Sequence, residues 1–240
     1  MKDELLKKAL AVHRLLVEAY GEREWHPRDP LDLLISAILS QNTSDVNRDR
    51  AWSRLKRRFP TWEEVLEADI GEIAEAIRPG GLADIKAPRI KEILRTIKGE
   101  RGELSLDFLK DMDVEEARRW LTSLKGVGPK TASIVLLFSL GKPAFPVDTH
   151  VHRVSLRLGL IPSGTSREKA HKILEELLPP EIYYTFHLNM IAHGREVCKA
   201  QNPRCEICLL RELCSLALSR GISRGRRPLI SPVTREAPRI

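Results

Sequence analysis

The chain is short of several things, and each shortage narrows what it can be. No apolar run reaches membrane length: the longest is Ile134–Leu140, against the about 20 residues a bilayer span needs. No stretch sustains the period-two alternation of a half-buried strand, so no substantial sheet is expected. Aromatic residues make up only 5% of the 240 residues, and the chain holds two Gln and four Asn. So few amides beside 30% charged residues suits a heat-adapted source. The N-terminus, MKDELLKKAL, shows no hydrophobic leader core, so the expected compartment is the cytoplasm. Cysteine is absent everywhere except between Cys198 and Cys214.

What is present is enough for a core: 42% of residues are apolar, and the length allows one large domain or two small ones. Lys and Arg total 40 against 33 Asp and Glu, a net charge of +7, which is compatible with a nucleic-acid partner. That charge is unevenly placed. Ser219–Ile240 carries six Arg against one Glu, so only two net positive charges belong to the preceding 218 residues. With three Pro and no apolar period, this segment reads as a basic, flexible tail.

Helix signals dominate the rest. Leu5, Ala9, Val12, Leu16 and Ala19 recur at steps of three and four. Asp29-Pro30, a good N-cap followed by a residue suited to the first helical position, opens LDLLISAIL. A third helix is expected over 45–59, with Val46, Trp52, Leu55 and Phe59 on one side. Cap-x-x-Glu patterns follow at Thr61/Glu64, Asp69/Glu72, Asp113/Glu116 and Thr165/Glu168.

Residues 113–140 predict two helices joined by Gly126-Val127-Gly128, with Pro129 opening the second. Glycines permit positive φ and close approach of another backbone, and the first amides of a helix carry partial positive charge. The turn can therefore grip phosphates without reading sequence; an ordinary helix–turn–helix corner is the plainer alternative. A Walker A loop is excluded because Pro129 precedes the lysine, and a dinucleotide fingerprint because Thr131 stands where a third glycine is needed. Lys130 sits in the first helical turn, where a cation opposes the helix dipole. That field favours a neutral, nucleophilic amine; a phosphate-contacting surface lysine is the alternative. Eighteen residues on, Asp148 reads as the N-cap of the next helix, a role that also fixes a carboxylate in direction. His150 and His152 lie about 200° apart on a helix, which separates them too far to share a metal; one is read as pocket wall or surface, the other as packing.

The cysteines are spaced Cys198-x6-Cys205-x2-Cys208-x5-Cys214. Four thiolates in one short loop can hold zinc or an iron–sulfur cluster, and spacing alone does not choose. Lys199 and Arg204 make the loop basic.

LKGVGPKTA, then VDTHVHRV, then HGREVC and the cysteine loop, in this order, resemble the endonuclease III family of helix–hairpin–helix DNA glycosylases. The resemblance covers the chain to about Leu218. It implies an all-α fold of two helical domains flanking a DNA cleft: a six-helix barrel over 24–143 carrying the hairpin, and a cluster domain formed by 1–23 with 144–218, before the tail at 219–240. It implies a 4Fe–4S cluster on Cys198, Cys205, Cys208 and Cys214. It also implies a prokaryotic, nucleoid-associated monomer that acts on damaged double-stranded DNA without a membrane. By the family pattern Lys130 is the nucleophile and Asp148 the essential carboxylate, with His150 a pocket candidate. The expected activity is removal of oxidised or ring-damaged pyrimidines, then cleavage of the abasic strand. Relatives that only release the base lack lysine there. Gly126, Val127, Gly128, Lys199 and Arg204 are expected to meet DNA. Leu82, after Gly80-Gly81, matches an intercalating wedge, with simple burial as the alternative. Counting back from Asp45, Asn42 falls where the bacterial pattern places Gln, and Gln41 precedes it; either could fill the gap left by a flipped base. Two other readings are a mismatch-specific uracil/thymine glycosylase and a non-catalytic DNA-binding iron–sulfur protein.

Overall fold

The computed structural model describes residues 2–221, so most of the basic tail lies outside the described residues. In chain order the α-helices are α1 (Lys2–Tyr20), α2 (Pro30–Leu39), α3 (Asp45–Arg58), α4 (Trp62–Glu67), α5 (Ile70–Ile77), α6 (Ala83–Arg101), α7 (Val114–Ser123), α8 (Pro129–Leu140), α9 (Thr149–Leu158), α10 (Arg167–Leu177), α11 (Tyr183–Glu196) and α12 (Ser215–Ser219). Short 3-10 turns link several of them, and no strand forms among the described residues.

The helices group into two compact units. The first, His26–Lys142, holds α2 to α8. Its centre is α8 against α2, and both are buried nearly all round because their sequences are apolar on every face. Asp29 starts α2 by accepting from the Asp32 amide at 2.8 Å, with Pro30 in the first position. On α3 the buried face is Arg48, Ala51 and Leu55, and the expected core position Val46 is 60% exposed. Val46 lies in the first turn, and the face that packs begins at Arg48, so an apolar residue at the right spacing is left outside.

The second unit joins the chain up to Trp25 with the chain from Pro143 onward. Here α11 is central and packs against α1 and α9. Ala9, Val12, Leu16 and Ala19 of α1 are buried as their spacing predicts. α11 also buries Thr185, His187, Asn189 and His193, each with a polar partner. Of the cap patterns, Thr61/Glu64 forms a full reciprocal box and Asp113 accepts from the Glu116 amide. Asp69 caps by position without a side-chain bond. α10 is capped by Ser166 instead of Thr165, whose hydroxyl donates to Pro162 O and so is not available as a cap.

Candidate active site

The first unit presents three backbone features near the ends of α2, α6 and α7. At the α7–α8 hairpin, Gly126 has φ +82°, which only glycine adopts cheaply. Val127 is buried and its amide donates to Leu124 O at 3.0 Å, so it offers the hairpin's surface little. Gly128 has ordinary extended backbone, and no atom lies within 4 Å of where a Cβ would stand. That open space admits a ligand backbone. Pro129 and Lys130 are the first two residues of α8, and its first bond is Ala132 N–H to Gly128 O at 3.0 Å. The amides of Lys130 and Thr131 therefore have no partner inside the helix. Lys130 itself is exposed.

Leu82 is 48% exposed and sits in the left-handed region, φ +53° and ψ +34°, directly before α6. A leucine held in that conformation costs about 1–2 kcal/mol and here projects instead of joining the core, so the burial alternative fails. Gln41 and Asn42 separate after α2. Gln41 Nε2 donates to Gly126 O at 3.1 Å, while Asn42 is exposed with φ +53°.

In the second unit, Asp148 caps α9: a carboxylate oxygen accepts from the Val151 amide at 2.7 Å. The segment that delivers it is pinned by side chains remote in sequence. Phe145 N–H donates to Glu175 at 2.7 Å, His171 Nδ1 donates to Phe145 O at 2.9 Å, and His187 Nδ1 donates to Pro146 O at 2.9 Å. A carbonyl only accepts, so both rings carry the proton on Nδ1. Sequence reasoning missed Glu175, His171 and His187, which lie on α10 and α11 in no recognisable motif. His150 is half-buried and its Nδ1 accepts from Arg153 at 3.1 Å. Burial lowers the His150 pKa most; Asp148 opposes the shift, and Arg153 and Arg195 reinforce it. His152 bonds Thr165 O at 2.8 Å and is the packing histidine.

Cys198, Cys205, Cys208 and Cys214 line one pocket together with Arg157, Val197, Pro203, Leu216 and Ala217. Arg157 donates to Cys198 Sγ at 3.3 Å and anchors the loop through Lys199 O and Ala200 O at 2.6 and 2.9 Å. His193, buried, stands 3.6 Å from Cys208 Sγ. Burial pushes the Cys208 thiol up to about 12 and the His193 imidazole down to about 4. Among the described residues no three His, Cys, Asp or Glu side chains converge on a single ion. A tetrahedral zinc with bonds of about 2.3 Å would draw the sulfurs together. Four thiols on one pocket, with the Arg157 guanidinium on Cys198 Sγ, are a donor set that fits an anionic iron–sulfur cluster. Lys199 and Arg204 are both exposed on this loop.

Residues 35–180 match the family described as HhH-GPD superfamily base excision DNA repair protein, and 198–214 match the iron–sulfur binding domain of endonuclease III. A DNA glycosylase-named protein of Arabidopsis thaliana is 44% identical over 69% of this chain, which spans 56% of the plant protein's length. Endonuclease III of Thermotoga maritima is 38% identical over 80% of this chain and 86% of its own. A trapped endonuclease III–DNA covalent intermediate superposes with a TM-score of 0.74 at 31% identity, over 92% of this chain and 99% of that one. The cofactor is accordingly a 4Fe–4S cluster. The chain belongs to the endonuclease III family within the HhH-GPD superfamily of base excision repair proteins, and is a DNA glycosylase.

Proposed function

We propose that the protein is a bifunctional glycosylase and abasic-site lyase that removes oxidised or ring-damaged pyrimidines from duplex DNA, working as a monomer. The observation that carries this is Lys130, an exposed primary amine in the first turn of the hairpin helix. The covalent DNA intermediate of a relative at 31% identity supports a route through a bond between protein and DNA.

In this reading the 24–143 domain grips the backbone through the hairpin and the 1–23/144–218 domain supplies the carboxylate and the cluster. The lesion is flipped from the stack, with Leu82 wedged between bases and Asn42 in the gap. As the glycosidic bond breaks, positive charge grows on the sugar. Asp148 stabilises it or takes a proton from the Lys130 ammonium. The neutral amine attacks C1′, the C1′–N bond breaks, and the base leaves. The new C1′–Nζ ammonium gives up a proton to the departing base, and the nitrogen lone pair then opens the C1′–O4′ bond, whose oxygen takes up a proton, to leave an iminium; that iminium acidifies the C2′ proton, and its removal expels the 3′ phosphate and cuts the strand. An amine gives that iminium, whereas a hydroxyl or carboxylate nucleophile at this position could not. His150, kept neutral, forms part of the pocket wall.

Cys198, Cys205, Cys208 and Cys214 hold the cluster, and Arg157 fixes their loop. The bound cluster supplies cross-linking, since lysine chemistry transfers no electrons. Lys199 and Arg204 add phosphate contacts. A cytoplasmic, nucleoid-associated prokaryotic setting belongs to the same reading and rests on the family resemblance, and heat adaptation rests on the low amide content.

A duplex panel tests the proposal. Thymine glycol opposite adenine should be released and the strand cut; thymine opposite guanine should not. Release from the mismatch without strand scission would favour the mismatch-glycosylase reading.

A further inference from the structure

The three features of the first unit that meet DNA in the proposed function are tied together by side chains from one face of α6. Arg89 Nη1 donates to Gln41 Oε1 at 2.9 Å, and Gln41 Nε2 donates on to Gly126 O at 3.1 Å. Arg89 also lies flat on the hairpin: a Cβ on Gly126 would come within 2.3 Å of its Nε. One turn earlier, the buried Lys86 donates to Leu39 O at 2.7 Å and Gly80 O at 2.9 Å, joining the end of α2 to the loop before Leu82. One turn later, Glu92 pairs with Lys125 of the hairpin at 3.3 Å.

The Arg89–Gln41 bond is charge-assisted, and its acceptor sits next to Asn42 in the chain. Gln41 spends both ends of its amide inside the protein. Its neighbour Asn42 is exposed.

We propose that Gln41 and Arg89 are positioning residues that lock the Gly126 hairpin to the Asn42 loop, so that the backbone grip and the gap-filling side chain seat as one body. Asn42, not Gln41, then enters the duplex. The functional half of this inference rests on the glycosylase reading; the mechanical half does not.

Amide hydrogen exchange on the full chain tests the lock directly. Gln41→Ala, Arg89→Ala and the double variant should each speed exchange across 124–128 and 41–44 by about tenfold, to the same extent in all three, because the two side chains act as a unit. The body of α8 should be unchanged. Gln41→Glu keeps the acceptor for Arg89 and loses the donor to Gly126 O, so it should rescue the 41–44 segment and not the hairpin. Unchanged exchange, or single effects that multiply in the double variant, would overturn the lock.

Affinity for a duplex with a tetrahydrofuran abasic analogue should fall about tenfold in each of the three variants, with Asn42→Ala less than additive to them because the lock acts partly through Asn42. Wild-type affinity in all three would overturn the positioning role. If the unmodified protein itself ignores that duplex, the glycosylase reading fails, and the exchange experiment still decides the lock.

Discussion

In the proposed function Asp148 carries two loads, and one substitution separates them. Its side-chain oxygen caps α9 through the Val151 amide, and asparagine caps helices about as well as aspartate. Asp148→Asn should therefore leave the melting temperature within a few degrees while base release slows by about 100-fold or more. Equal rates would reduce Asp148 to a cap. Leu82 makes the opposite trade, since asparagine tolerates the left-handed region better than leucine. Leu82→Asn should hold or raise thermal stability and slow base release about tenfold, read by single-turnover kinetics. His150 gives a pH signature. Its pKa lies below the ordinary 6.5 in the folded protein, chiefly through burial, so the unfolded chain binds more protons as pH falls through that value. Stability should fall below about pH 6.5 more steeply in the wild type than in His150→Gln, as urea midpoints at pH 5 and 7.5 would show. The charged neighbours that act on it are Asp148, Arg153 and Arg195. Lys130 and Asp148 could be picked out in the sequence because each sits beside local punctuation, Pro129 or a cap pattern. Glu175, His171 and His187 could not, because they meet the 143–148 segment only after α10 and α11 have packed.

At the scale of elements, local signals predicted helices well and failed where tertiary contact chose between near-equals. Thr165 and Ser166 are both competent caps, and Thr165's bond to Pro162 O decides the register. Val46 has core spacing on α3 yet stays exposed. From sequence alone Leu82 could have been core or exposed, and it is 48% exposed on a left-handed backbone that only the folded loop before α6 imposes. Lys86 was unreadable for the same reason: a charged side chain 1% exposed is explained only by the two carbonyls it reaches. Those carbonyls belong to the end of α2 and the loop before α6. Lys86→Met would keep the packing and strand both acceptors, which should cost about 2–4 kcal/mol. The denaturant midpoint measures it, and a loss under about 0.5 kcal/mol would mean the carbonyls find other donors.

For the whole molecule, the net charge of +7 says less about DNA than it first suggests. Five of those charges fall in Ser219–Ile240, so the units that hold Lys130 and Asp148 are close to neutral. In the proposed function affinity there comes from placed groups: the outward amides of α8, the exposed Lys130, and Lys199 and Arg204 of the cysteine loop. The order of the hairpin, the VDTH segment and the cysteine loop was fully legible as a family pattern. The choice of cluster over zinc was legible only through that pattern, because the spacing alone counts ligands and does not name the group they hold. The central claim is that the Lys130 amine forms the bond to DNA. Borohydride trapping of the full chain on a thymine glycol duplex, followed by peptide mapping, tests it most directly. The account predicts a covalent adduct on Lys130 that disappears in Lys130→Gln, and an undiminished adduct in that variant would contradict it.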